Sequence, residues 1–89
     1  MNTVMRITGP LTLDRAAGQL GVLGDLASGG RVQLDFSAVA ELDSAAVALL
    51  LHWQRQAMAA GCELEYVELP QSLRQLLAVY GLTDLLPAQ

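Results

Sequence analysis

The sequence predicts a small α/β domain: a mostly parallel sheet of about three to four strands, packed with three helices and a short C-terminal turn. Three observations predict it. Apolar residues recur first at strand spacing and then at helix spacing, and this alternation repeats three times along the chain. Two consecutive strand–helix–strand units imply parallel strands joined by right-handed crossovers. The composition, 53% hydrophobic with 16% charged and 4% aromatic residues, suits an aliphatic core and not a disordered chain. With 89 residues and no linker, repeat or low-complexity stretch, residues 1–89 are expected to form a single domain with one modest core.

Val4 to Thr8 alternates apolar and polar residues, which predicts the first strand, and Gly9-Pro10 breaks it. Thr12 is placed to cap a first helix with an inner face of Leu13, Ala16, Ala17, Leu20, Leu23 and Ala27. Gly18, Gly21 and Gly24 interrupt that helix, each costing about 1 kcal/mol relative to alanine. They build no phosphate loop, because no Lys-Ser/Thr follows them. Ser28-Gly29-Gly30 ends the helix, and Arg31 to Phe36 alternates into a second strand. After the central helix, which stops near Gly61, Cys62 to Leu69 forms the third strand and Pro70 closes it. Ser72 and Gln75 have the spacing of a capping box. They open a helix with Leu73, Leu76, Leu77 and Tyr80 inward and Gly81 suited to a left-handed C-terminal cap. Leu82 to Leu86 is expected to fold back as a turn.

The central helix, Ser44 to Ala60, organises the rest. Asp43 or Ser44 can cap it by accepting an N–H of its first turn, and the tip is expected to present free N–H groups and a partial positive charge. At the helical period, Ala46, Val47, Leu50, Trp53, Ala57 and Met58 fall on one arc, with Leu49 and Leu51 at its margins. Ser44, Ala45, Ala48, His52, Arg55, Gln56 and Ala59 fall on the other. This outer face is small and smooth for two turns, then polar. Surface alanines first of all serve as good helix formers; the alternative is a docking surface, since small side chains let a partner's backbone come close.

Charge and motif content exclude several functions. The net charge is −4 and all five basic residues are scattered arginines, so no basic stripe exists to follow a nucleic-acid backbone. The longest apolar run, Ala45 to Leu51, has seven residues, against the about 20 a membrane-spanning helix needs. No basic segment followed by an apolar one opens the chain, so no signal peptide is expected. A single Cys62 points to a reducing compartment, the cytosol. One histidine, His52, supports no multi-histidine metal site. Cys62 reads as packing, Asp35 and Asp43 as caps and turn formers, and Glu63, Glu65 and Glu68 as the solvent side of the third strand. No catalytic residue, metal or cofactor is expected.

From Leu34-Asp35-Phe36-Ser37 through Val39 to Leu42-Asp43-Ser44 and Val47, the chain resembles the STAS family. The shared pattern is a strand ending in Leu-Asp-apolar-Ser, a valine two residues on, then apolar-Asp-Ser/Thr before a helix. The resemblance implies a non-catalytic domain that binds proteins, as anti-sigma-factor antagonists do. Antagonists controlled by phosphorylation carry the acceptor serine where this chain has Ala45, so no phosphorylation switch is expected, with Ser44 as a minor acceptor at most. Ala46 stands where the family usually has glycine, and the extra N-terminal strand common in the family is expected to be missing.

Ala48 to His52 looks most like the MlaB-type branch, the small subunit of Mla phospholipid-transport ABC complexes. That likeness implies a cytoplasmic subunit that binds and stabilises an MlaF-like ATPase subunit at the inner membrane's cytoplasmic face, peripheral through its partner. The contact would run through Asp43, Ser44, Ala45, Ala48, His52 and Arg55. The alternative is an anti-sigma-factor antagonist without the usual acceptor serine.

Overall fold

The computed structural model describes residues 2–24 and 29–85. Its elements run β1 (Asn2–Arg6), α1 (Ala16–Gln19), β2 (Arg31–Asp35), α2 (Ala45–Ala59), β3 (Glu63–Val67), α3 (Gln71–Val79) and a 3-10 turn (Thr83–Leu85). The strands form a parallel sheet in the order β1-β2-β3. Met5 lies beside Leu34 and Leu34 beside Tyr66, so alternate residues of all three strands share one apolar face. Ile7 and Phe36 extend that face one residue past the strands, their N–H groups bonding Asp35 and Val67 carbonyls. Residues from α2, α3 and the α1 segment join it in one core, where Phe36 packs edge-on against Tyr66 at 6.0 Å and tilted against Trp53 at 6.3 Å.

The opposite sheet face carries Val4 and Arg6, Arg31, Gln33 and Asp35, then Glu63, Glu65 and Val67. Polar neighbours pair across it: Arg31 with Glu63 at 2.8 Å, Gln33 with Glu65 at 3.2 Å, and Arg6 with Asp35 at 3.8 Å. Glu63 and Glu65 therefore stand on the solvent side as expected. Glu68 lies beyond the strand, in a left-handed backbone conformation (φ 57°).

α2 and α3 both end as the glycines predict. Gly61 (φ 68°) follows α2, with its N–H on the Met58 carbonyl and the Cys62 N–H on that of Ala57. Gly81 (φ 69°) follows α3 in the same paired arrangement, with Ala78 and Leu77 as acceptors.

Four local expectations are corrected. The first helix shrinks to one turn, because Arg15, Gly18, Val22 and Gly24 each bond three residues back, and its glycines give a continuous helix too little support. Leu11, Gln19 and Leu23 are buried there, whereas Leu13, Ala17 and Leu20 face out. Ala16 packs on the core, and Ala27 lies outside the described residues. Met58 is 70% exposed and Leu49 fully buried, so the inner arc of α2 is rotated toward Leu49 relative to the sequence assignment. α3 starts from the Pro70 carbonyl, which accepts the N–H groups of Leu73 and Arg74, so Ser72 lies inside the first turn and caps nothing. Tyr80, at the end of α3, is exposed.

Candidate functional site

The tip of α2 is built by two chain segments. Leu11 and Leu42 form an isolated parallel bridge, with the Leu11 N–H on the Glu41 carbonyl (2.9 Å) and the Asp43 N–H on the Leu11 carbonyl (3.2 Å). Asp43 then uses both carboxylate oxygens. Oδ1 accepts the Ala45 N–H at 2.8 Å, and Oδ2 accepts the Leu13 N–H at 3.1 Å. Asp43 is the helix cap in hydrogen-bond terms, and the Ser44 side chain makes no capping bond.

This overturns the expectation of free N–H groups at the tip. The Ala46 N–H bonds the Asp43 carbonyl and the Val47 N–H the Ser44 carbonyl, so the first turn is occupied from within the chain. The Asp43 carboxylate, set at the positive end of the helix dipole, further removes any attraction for an outside anion.

From that tip an outward ridge runs along α2. Ser44, Ala48, Arg55 and Ala59 are exposed, while Ala45 and His52 are half-buried. All six expected partner-binding residues, Asp43, Ser44, Ala45, Ala48, His52 and Arg55, thus lie on the tip or outer side of one helix. Beneath them Ala46, Leu49, Leu50, Trp53 and Ala57 are fully buried. Trp53 is locked by its indole N–H on the Gln19 carbonyl at 3.1 Å. Gln19 in turn donates its side-chain amide to the carbonyls of Thr8 (2.7 Å) and Pro10 (3.5 Å). Sequence reasoning missed Gln19, because a polar residue outside the apolar period carries no core signal. Gln56, expected outward, is half-buried and donates to the Gly24 carbonyl at 2.9 Å.

The remaining candidate groups do structural work. Asp35 accepts the Ser37 backbone N–H at 2.8 Å, and this bond holds its carboxyl below the ordinary range, with the Ser37 hydroxyl and Arg6 adding to it. Cys62 is buried, one residue before β3 begins. Burial of Tyr66 pushes its phenol well above the ordinary tyrosine value, and its hydroxyl meets Gln54 Oε1 at 3.0 Å and the Leu50 carbonyl at 3.5 Å. Shallow depressions lined by Gly29, Gly30, Gly61, Arg31 and Glu63, and by Gln54, Cys62 and Leu64, lie where the strands begin, at the far end of α2 from its tip. Among the described residues no group of three His, Cys, Asp or Glu side chains could hold a metal ion, and no helix is long and apolar enough to cross a membrane.

The family model described as "Mlab, STAS domain" matches residues 1–87. The chain belongs to the STAS family. Among solved structures, a sulfate transporter family protein from Wolinella succinogenes has a TM-score of 0.75 and 21% identity. The match covers 97% of this chain and 71% of the other, and at that identity it shows a shared fold. No curated protein matches the chain. The STAS fold accommodates either an accessory role or one like that of an anti-sigma-factor antagonist.

Proposed function

We propose that this STAS domain is a non-catalytic accessory subunit that binds and stabilises the ATPase subunit of an Mla-type phospholipid-transport ABC complex. It docks through Ser44, Ala45, Ala48, His52 and Arg55, with Asp43 holding the tip in shape. In the cell it sits in the cytoplasm, at the membrane's inner face when bound. The observation that carries this reading is the α2 ridge itself: exposed Ser44 and Ala48 over a fully buried row of side chains. A rigid surface with small side chains admits a partner closely and loses little side-chain entropy on binding. The Mlab description of the matching family model supports the choice of partner.

The test substitutes Ser44. Ser44→Ala keeps the shape and loses a hydrogen bond worth about 0.5–1.5 kcal/mol, so binding of the ATPase subunit weakens modestly. Ser44→Arg puts bulk and a charge where the partner must approach, and binding is lost through clash and desolvation. Both variants keep the wild-type circular dichroism spectrum, since Ser44 is exposed. Wild-type binding by folded Ser44→Arg would refute the docking site. One observation favours a second reading, an anti-sigma-factor antagonist-like regulator lacking the usual acceptor serine: the Ser44 hydroxyl is exposed and uncommitted to capping, which leaves it open as a minor acceptor. Mass spectrometry of co-purified partners separates the two, returning transporter subunits or an anti-sigma kinase.

A further inference from the structure

We propose that Leu13 is the apolar anchor of this docking face and that the partner meets it with an apolar socket rimmed by basic side chains. The inference rests on the docking reading above. A single exposed leucine is unremarkable on any protein surface. Leu13 differs in how it is held. It is 79% exposed, yet its N–H is fixed on Asp43, the residue that caps α2. On one side Leu11 is clamped between Glu41 and Asp43 by two backbone bonds. On the other, the Arg15 N–H closes a turn onto the Thr12 carbonyl, and the Thr12 hydroxyl donates to Asp14.

A leucine presented on so rigid a turn is already ordered, so a partner that buries it gains apolar burial without ordering a loop. Leu20, in the same segment, faces out as well but is only 42% exposed and follows α1, away from the Asp43 cap. The other large exposed apolar side chains among the described residues are Val4 on the open sheet face, Met58 near the far end of α2, and Val79 and Tyr80 at the end of α3. The socket's rim follows from charge. Asp14 adjoins Leu13 in the turn with the exposed Arg15 cation beside it, and the Asp43 carboxylate lies against the Leu13 backbone; one cation against two carboxylates leaves the turn net negative. The Thr12 hydroxyl bond keeps the Asp14 carboxyl ionised to lower pH than usual. Two carboxylates beside one leucine favour a partner with cationic groups around an apolar hollow.

The experiment titrates the purified ATPase subunit with the full chain at low and moderate salt. Burying one leucine corresponds to a weakening of about ten- to hundred-fold for Leu13→Ala, and Leu13→Asp abolishes binding. Wild-type affinity falls with salt, and Asp14→Asn flattens that dependence. Thermal midpoints of the Leu13 variants stay at the wild-type value, because the side chain is exposed. Wild-type affinity in Leu13→Asp, while Ser44→Arg fails to bind, overturns the anchor and leaves the docking face standing. Wild-type affinity in both overturns the docking reading as well. Salt-independent binding of the wild-type chain overturns the basic rim.

Discussion

Replacing Asp43 tests whether one carboxylate holds the helix tip and the neighbouring turn together. In Asp43→Ala two hydrogen bonds disappear, one from Ala45 at 2.8 Å and one from Leu13 at 3.1 Å. The cap contributes about 1 kcal/mol, and the second bond, being exposed, about as much. Together they amount to about 2 kcal/mol, which lowers the melting temperature of a domain this size by about 8–16 °C. Asp43→Asn separates the two bonds. Its amide oxygen still accepts from Ala45, but its NH2 group meets the Leu13 N–H as donor against donor. The expected loss is about half, about 4–8 °C, when thermal melts are followed by circular dichroism at neutral pH. Equal losses in the two variants would place the whole effect in the Leu13 bond. A shift below about 2 °C in Asp43→Ala would refute the claim that this carboxylate supports the fold.

Two further predictions address the core. Leu50 is fully buried, so Leu50→Ala costs about 2–5 kcal/mol in a denaturant titration, while half-buried His52→Ala costs about 1 kcal/mol or less; equal losses would refute the assignment of helix faces. Burial favours the neutral phenol of Tyr66, so its contribution is intact below the ordinary value of 10.0 and is lost as pH rises beyond it. The unfolding midpoint therefore drops above pH 10 in the wild type and flattens in Tyr66→Phe; parallel curves would refute the link.

The strand–helix order, the parallel sheet and the C-terminal glycine caps were legible because each rests on a local signal: period, turn residue or cap. The tip of α2 was legible for the same reason, since Asp43 and Ser44 precede an unbroken apolar run. The first helix misled because its leucines kept the helical period while its glycines withheld the stability to use it. Which residue then turned inward was decided by tertiary bonds. Gln19 satisfies the carbonyls of Thr8 and Pro10 and receives the Trp53 indole, and no local pattern announces such a hub. The link between Leu13 and Asp43 spans 30 residues and was equally invisible. Met58 and Tyr80 kept the apolar period at helix ends, where both are left exposed among the described residues.

Parallel sheets are ordinarily covered on both faces. Among the described residues this one is covered on one, and its open face carries the pairs Arg31–Glu63, Gln33–Glu65 and Arg6–Asp35, each between register neighbours. A partner docking there would have to desolvate charges that already satisfy one another, and removing an ion from water costs several kcal/mol unless new partners compensate. The first two turns of the α2 ridge, before Arg55, present far less to desolvate. Ser44 and Ala48 offer one hydroxyl between them, and the N–H groups of Ala45, Ala46 and Val47 are bonded within the chain. Apolar Leu13 adjoins that tip and is held to it by Asp43. The desolvation balance therefore favours the helix ridge over the open sheet for the docking proposed above.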